Sequence, residues 1–372
     1  MIPQWQQDII NSNIRKHIYV IEWLSPEENV IGEMTLDVIG GNVNFDSQNS
    51  NRRSCNISLK NLNGKYTPSP QSKVWINNKF SLKSGYEYED GQRLLYNQGV
   101  YVLGNPSILS SPAQKEVSIQ GLDKWVLLDG TIQGKLKKKL ILEVNLRVDT
   151  AIKILIQENV GENKFIIDDC DTLLPYTIEK EAGSTIADTI KEISDIVSYE
   201  AFYNNEGYFV FRKALKPSDY NSTAPSWKYT TEGLHLESTR DLDWNNIRNS
   251  IKVIGMTKTD GIVIEAIAQD LTSSEFSIDK IGERFEPVED DNIPTVELAQ
   301  ERADWELLQK IMISENVNGR LIPNFSHIVG DIIEVTDSNS GINGNYLIQT
   351  IDYSLEFNSV MNLGLWKLRD WG

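Results

Sequence analysis

Three histidines (His17, His235, His327) and two cysteines (Cys55, Cys170) are the side chains best suited to metal or nucleophilic chemistry in this chain. No histidine lies within metal-ligand spacing of another histidine or of a cysteine, and H-E-x-x-H, C-x-x-C and the P-loop lysine signature do not occur. Gly40-Gly41 lacks both the G-x-G-x-x-G spacing and a following helix, and no G-x-S-x-G elbow presents a serine. Carboxylates are plentiful, so an acid/base pair distant in sequence stays open. Glu289, Asp290 and Asp291 carry oxygen ligands for a hard cation, but no EF-hand spacing surrounds them, and a solvated acidic loop is the plainer expectation. The expected chemistry is therefore none: no enzymatic activity, no cofactor and no tightly bound metal.

Nine tryptophans and fourteen tyrosines would suit carbohydrate platforms. Most of them, Trp23 and Trp75 included, sit inside strand patterns and are expected in the core. The net charge of −17 argues against a nucleic-acid grip, which needs clustered cations to neutralise phosphates. The exception is the run Lys135, Leu136, Lys137, Lys138, Lys139, expected as a solvated β-edge or loop. Cys55 and Cys170 are too far apart to suggest a disulfide framework and are expected as small buried thiols. No stretch of about 18 apolar residues could span a membrane. The N-terminus lacks the charged start and apolar core of a secretion signal, so synthesis in a cytoplasm is expected.

The elements that would position these groups centre on residues 184–212. Ile186, Ile190, Ile193 and Val197 recur at spacings of four, three and four, one stripe of a helix that Ser184 is expected to cap. Residues 199–203 and 208–212 are aromatic-rich runs either side of Asn204-Asn205-Glu206-Gly207, a hairpin pattern. A 372-residue chain has room for further domains. An N-terminal arm (1–13) carries Trp5, Ile9 and Ile10 and is the candidate docking element. Residues 14–146 hold many short strand patterns separated by turns; Cys55, Ile57 and Leu59 alternate with Asn56, Ser58 and Lys60, and residues 74–76 read as a strand. Residues 147–233 form a middle α+β domain that includes a second helix at 149–159 and a linker at 216–227. Strand patterns return at 234–270 and 317–372, with Asn343-Gly344 expected as a hairpin turn. Between them, 271–316 reads as an acidic loop and a helix capped by Thr295. The fold class expected is α+β, mainly β.

The order of these pieces resembles the baseplate-hub, or tail-hub, family of bacteriophages, in particular the N-terminal hub region of tail-associated lysin-type proteins from phages of Gram-positive hosts. Residues 15–23, 30–39 and 51–59 with Gly64-Lys65-Tyr66-Thr67-Pro68 resemble the start of the family's first barrel, and Gly121-Leu122-Asp123-Lys124-Trp125 through Leu128-Asp129-Gly130 its end. Residues 200–211 resemble the middle-domain hairpin. Ile281-Gly282-Glu283-Arg284, the Thr295 helix, 329–335 and 344–348 resemble the second barrel and its inserted helix. The resemblance implies two similar β-barrels, 14–146 and 234–270 plus 317–372. It also implies a homotrimeric ring that adapts a six-fold tail tube to a three-fold tip and lets DNA pass. The implied partners are a distal tail or tube protein on one side and a separate spike, fibre or tail-tip protein on the other; the implied location is the virion. Many relatives continue into a lytic or receptor-binding extension, and the end at Gly372 leads us to expect none here. The excess acid leads us to expect an acidic or neutral inner wall, with residues 135–139 facing outward or into a protein contact. A cell-wall hydrolase and a carbohydrate-binding or receptor-binding module are the competing classes.

Overall fold

The computed structural model describes residues 3–12, 16–88, 91–215, 219–220, 223–230, 235–258, 260–272, 275–312 and 315–368. The chain opens with helix α1 (Gln4–Ile10), followed by β1 (Lys16–Leu24), β2 (Val30–Met34), β3 (Val38–Asp46), β4 (Arg53–Lys60), β5 (Lys79–Glu87), β6 (Arg93–Leu103), β7 (Ser107–Ser110) and β8 (Lys115–Asp123). A middle unit contains β9 (Leu140–Leu142), α2 (Val148–Lys153) continued by a π turn at Ile154–Glu158, β10 (Phe165–Ile167), β11 (Ile178–Lys180), α3 (Ile186–Val197), β12 (Tyr199–Tyr203) and β13 (Phe209–Lys213). The remainder comprises β14 (Trp227–Thr230), β15 (His235–Leu242), β16 (Ser250–Thr257), β17 (Val263–Gln269), β18 (Phe285–Glu289), α4 (Val296–Met312), β19 (Glu315–Leu321), β20 (Ile332–Asp337), β21 (Ile342–Ser354) and β22 (Met361–Lys367).

Alternation builds the strands. In β4, Cys55, Ile57 and Leu59 are fully buried while Ser54, Asn56 and Lys60 face solvent. Fourteen strands join one mostly antiparallel sheet along the path β15-β19-β22-β21-β3-β4-β8-β6-β5-β1-β2, with β14 added to β20, β20 to β21, and β7 to β8. The path is open: no closed barrel forms among the described residues. The two β regions expected as separate barrels are hydrogen-bonded to each other where Thr350–Ser354 of β21 run antiparallel to Asn42–Asp46 of β3. The physical reason is the length of β21. Its first half pairs with β20, and its second half leaves an edge that β3 fills. One hydrophobic core spans both regions, with Ile21, Phe80 and Tyr101 in the same cluster as Ile348, Leu363 and Leu365.

The pairing order repeats. In the first region β1 pairs β5, and β6, β8, β4 and β3 follow in turn. In the second, β14 pairs β20, and β21, β22, β19 and β15 follow. The first pair differs in sense, antiparallel for β1–β5 and parallel for β14–β20.

Residues 250–269, read from sequence as part of the second β region, instead form a separate three-stranded sheet with β18. Its inner face, Ile251, Val253, Ile264 and Ala268, packs on Ala299, Ala303, Leu307 and Ile311 of α4. The helical stripe thus needs its own sheet, and takes it. The same sheet corrects the acidic-loop expectation: Phe285–Glu289 lie parallel to Ser250–Ile254. Three local readings also change. Residues 74–76 are irregular, and Trp75 is 37% exposed. The β20–β21 turn falls at residues 338–341, where Gly341 supplies a positive φ of 70°, and Asn343-Gly344 lie inside β21. The cap of α3 is Thr185, whose Oγ1 accepts the Asp188 N–H at 3.0 Å, one residue after Ser184. Thr295 does cap α4, accepting from the Leu298 N–H at 3.2 Å. The proposed linker 216–227 falls partly outside the described residues, as do the end of the arm and the last four residues of the chain.

Candidate interaction surfaces and the joint that positions them

The side chains with chemical potential are dispersed into structural roles. His327 is buried, with Nε2 2.7 Å from the Tyr229 hydroxyl and 3.3 Å from Asn324 Nδ2. His17 meets the Phe325 ring edge-on at 5.3 Å, and His235 lies in β15. Both cysteines are free and buried, and burial pushes the Cys55 thiol far up. Asp290 caps its own turn by accepting the Asn292 N–H at 3.0 Å. Among the described residues no three histidine, cysteine or acidic side chains are placed to hold a metal. The basic run is exposed except for Leu136, which is buried, and Lys139 pairs with Glu179 and, at 3.6 Å, with Glu181.

The charged residues that matter most to the architecture were not singled out by their spacing. Glu28 occupies the β1–β2 turn with a φ of 65°. Its carboxylate is buried and accepts from Lys79 at 2.8 Å, Lys124 at 2.6 Å and Lys164 at 2.9 Å. Lys124, fully buried, also reaches Glu162 at 2.7 Å, donates to the Gly207 carbonyl at 2.8 Å and lies 4.8 Å from the Tyr203 ring centre. Burial works against the Glu28 charge; the Lys124 ammonium and the three lysine hydrogen bonds override it and hold the carboxyl at about 2.

Beside this cluster the β12–β13 hairpin is gripped by two consecutive arginines. Arg53 donates to the Tyr203 carbonyl and, at 2.6 Å, to Asn205 Oδ1, with Asp123 at 3.5 Å. Asp123 is fully enclosed, and burial raises its carboxyl to about 6 against the pull of Arg53. Arg52 lies 3.5 Å from the Phe202 ring centre and bonds Glu200 at 2.6 Å; Arg212, on the same ring at 5.1 Å, bonds the other oxygen of Glu200. At the hairpin tip Asn205 Nδ2 donates to the Asn97 carbonyl at 3.0 Å. Gly207 has a φ of 79°, and a Cβ there would stand 2.9 Å from Val100 Cγ2. Buried charges are tolerated only when paired, so these contacts fix the middle unit on the first β region in one orientation.

Exposed apolar side chains remain on the arm and on two strand edges. Of the arm residues, Ile10 is fully buried in the main core, Ile9 packs beside it and Trp5 is 56% exposed. Gln6 Oε1 accepts from the Tyr96 hydroxyl at 3.2 Å, so the arm lies on its own subunit with Trp5 outward. All four residues of β7 are exposed, as are Leu236, Leu242 and the following Trp244 at β15. Among the described residues no helix is long and apolar enough to cross a membrane.

No family model matches the chain, and no curated protein matches it. Solved structures do match over nearly full length. A tail protein from Neisseria meningitidis MC58 is 14% identical, with a TM-score of 0.65 over 94% of this chain and 96% of that one. The 43 kDa tail protein of prophage MuSo2 from Shewanella oneidensis is 13% identical, with a TM-score of 0.62 over 94% and 98%. Prophage tail protein gp18 from Listeria monocytogenes EGD-e is 13% identical, with a TM-score of 0.57 over 95% of both chains. At these identities the similarity establishes the fold: this chain has the fold of these tail proteins.

Proposed function

We propose that this chain is a structural hub protein of a phage tail or tail-like particle. Three copies close into a ring, the two equivalent β regions of each chain present six near-equivalent surfaces to a six-fold tube, and the opposite face receives a three-fold spike, fibre or tip protein. DNA passes through the centre without specific binding. The observation that carries this proposal is the nearly full-length match to three tail proteins in a chain whose strand-pairing order occurs twice. Trp5, with Ile9 and Ile10 behind it, is the docking arm toward the neighbouring tail component. No residue is assigned a catalytic role.

Native mass spectrometry and negative-stain imaging of the purified chain test this directly. A ring of three copies, incorporated into tails in a reconstituted assembly, is expected. A monomer at all concentrations, or activity on host cell wall in a zymogram, would overturn it. Trp5→Ala is expected to leave the fold intact and to weaken tail incorporation.

A further inference from the structure

The repeat assigns equivalent places to residues far apart in sequence. On the edge of β8, Tyr101, Val102 and Leu103 stand opposite Asp123, Leu122 and Gly121, and β7 continues the same edge with Ser107 opposite Ser118 and Ile108 opposite Val117. On the edge of β22, Tyr346, Leu347 and Ile348 stand opposite Lys367, Trp366 and Leu365, and β21 continues with Asp352 opposite Asn362 and Tyr353 opposite Met361. Ser107, Ile108 and Leu109 therefore occupy the places of Asp352, Tyr353 and Ser354. The outer strands correspond in the same way. Ser54 lies between Leu122 and Asn44, and Asn316 between Trp366 and Asp241. Asp241, Arg240 and Thr239 of β15 thus match Asn44, Val43 and Asn42 of β3.

Within the chain these places are joined: Asp352, Tyr353 and Ser354 pair with Asn44, Val43 and Asn42. Their counterparts are not. Among the described residues β7 pairs only with β8, and β15 only with β19. Both present what an added strand needs. Ile108 and Leu109 are 52% and 49% exposed on β7, and Leu236 and Leu242 are 50% and 42% exposed on β15. An eight-residue edge with open backbone groups is a template for another strand unless something covers it. Charge agrees as well: Glu237 and Asp241 are exposed on β15, and Lys115 is exposed opposite Ser110 beside β7. The places of Asn44 and Asp352, joined by a side-chain hydrogen bond in the internal joint, are held in the counterparts by Asp241 and Ser107, a carboxylate acceptor and a hydroxyl donor.

We infer that β7 of one copy adds antiparallel to β15 of a second copy of this chain, with Ser107, Ile108 and Leu109 opposite Asp241, Arg240 and Thr239. The joint between chains then repeats the joint within the chain, so all β regions around a ring are related by one recurring step. The inference deepens the ring proposed above and takes from it only the number of copies.

The test is a cysteine pair. Leu109→Cys with Thr239→Cys places two thiols across the proposed joint, where a disulfide needs Cβ atoms about 3.5–4.5 Å apart; Leu109→Cys with Leu236→Cys is the off-register control. Cys55 and Cys170 are buried and do not compete. Mild oxidation followed by a non-reducing gel is expected to link the first pair between chains, up to a trimer, and not the second. Light scattering of the unmodified protein reports the copy number separately. Linked, in-register copies in a protein that is not trimeric would support the joint and reject the ring. A trimer that links only the control pair, or neither, would reject the joint and keep the ring. A monomer that links neither would reject both. As a second measurement, I108D/L109D alters exposed positions only, and circular dichroism checks its fold. Loss of the trimer is expected; an unchanged trimer would overturn the inference.

Discussion

Lys124 is enclosed between Glu28 and Glu162, so its removal takes the ammonium partner from the largely buried Glu162 and the closest of three from Glu28. Breaking a buried ion pair from one side costs about 3–5 kcal/mol, because the surviving charge keeps its desolvation cost. K124M should therefore lower the urea midpoint by that equivalent at unchanged slope, whereas K164M, which removes a half-exposed partner of Glu28, should cost clearly less. The pH dependence follows from the same residues. Glu28 has a folded value of about 2 against an ordinary 4.5, so its contribution is complete above 4.5 and is lost as pH falls through 2. A shift of that size is worth at most about 3 kcal/mol, and nearer 2 after solvent screening. Asp123 acts with the opposite sign. Its folded value of about 6 lies above the ordinary 3.8, so its buried charge costs stability above pH 6 and that cost is relieved on acidification toward 3.8. Unfolding midpoints from pH 7 to pH 3 should show the acid-side fall shrink in E28Q and the initial rise vanish in D123N. Profiles parallel to the unmodified protein in both variants would show that these carboxylates do not set the pH dependence.

The β12–β13 hairpin is the element through which these charges act, and Gly207 sets how close it can come. G207A forces a Cβ against Val100 and strains a φ of 79°, so the tip should lift from β6. A loss of about 1–3 kcal/mol is expected, with faster amide exchange in Asn204–Gly207 and unchanged exchange in α3; equal changes in both would show that the hairpin and helix open as one body. α3 itself was legible because its information is local. Ile186, Ile190, Ile193 and Val197 repeat at helical spacing, and all four are buried. The strand alternation of Cys55, Ile57 and Leu59 was legible for the same reason. The β21–β3 joint was not: residues 350–354 meet residues 42–46, and no periodicity in either names the other. β18 was hidden because its more buried face is Glu286 and Val288 while Phe285, Pro287 and Glu289 are exposed, in a stretch whose charge reads as a loop. Lys124 and Glu28 were hidden because an isolated lysine or glutamate in sequence carries no sign of its burial.

At the scale of the whole molecule the question is how the ring proposed above, built from acidic chains, would let DNA move. Each chain carries −17, so three would carry about −51, and an acidic inner wall of the proposed ring would repel a duplex toward the axis, with the repulsion screened beyond about 8 Å at physiological salt. The one sequence feature that opposes this is the basic run at 135–139. The structure blunts it at one end, where Lys139 is paired with Glu179 and Glu181. Tight DNA binding needs several uncompensated cations, each releasing a counterion from the phosphates. The purified ring should therefore leave duplex DNA unshifted in a gel at physiological salt. E179Q/E181Q removes the counter-charge while leaving every lysine in place, and should produce weak binding that disappears as salt is raised. A shift by the unmodified ring would show that its charges are not arranged for sliding. No shift by E179Q/E181Q even at low salt would show that the two glutamates are not what keeps the run from DNA.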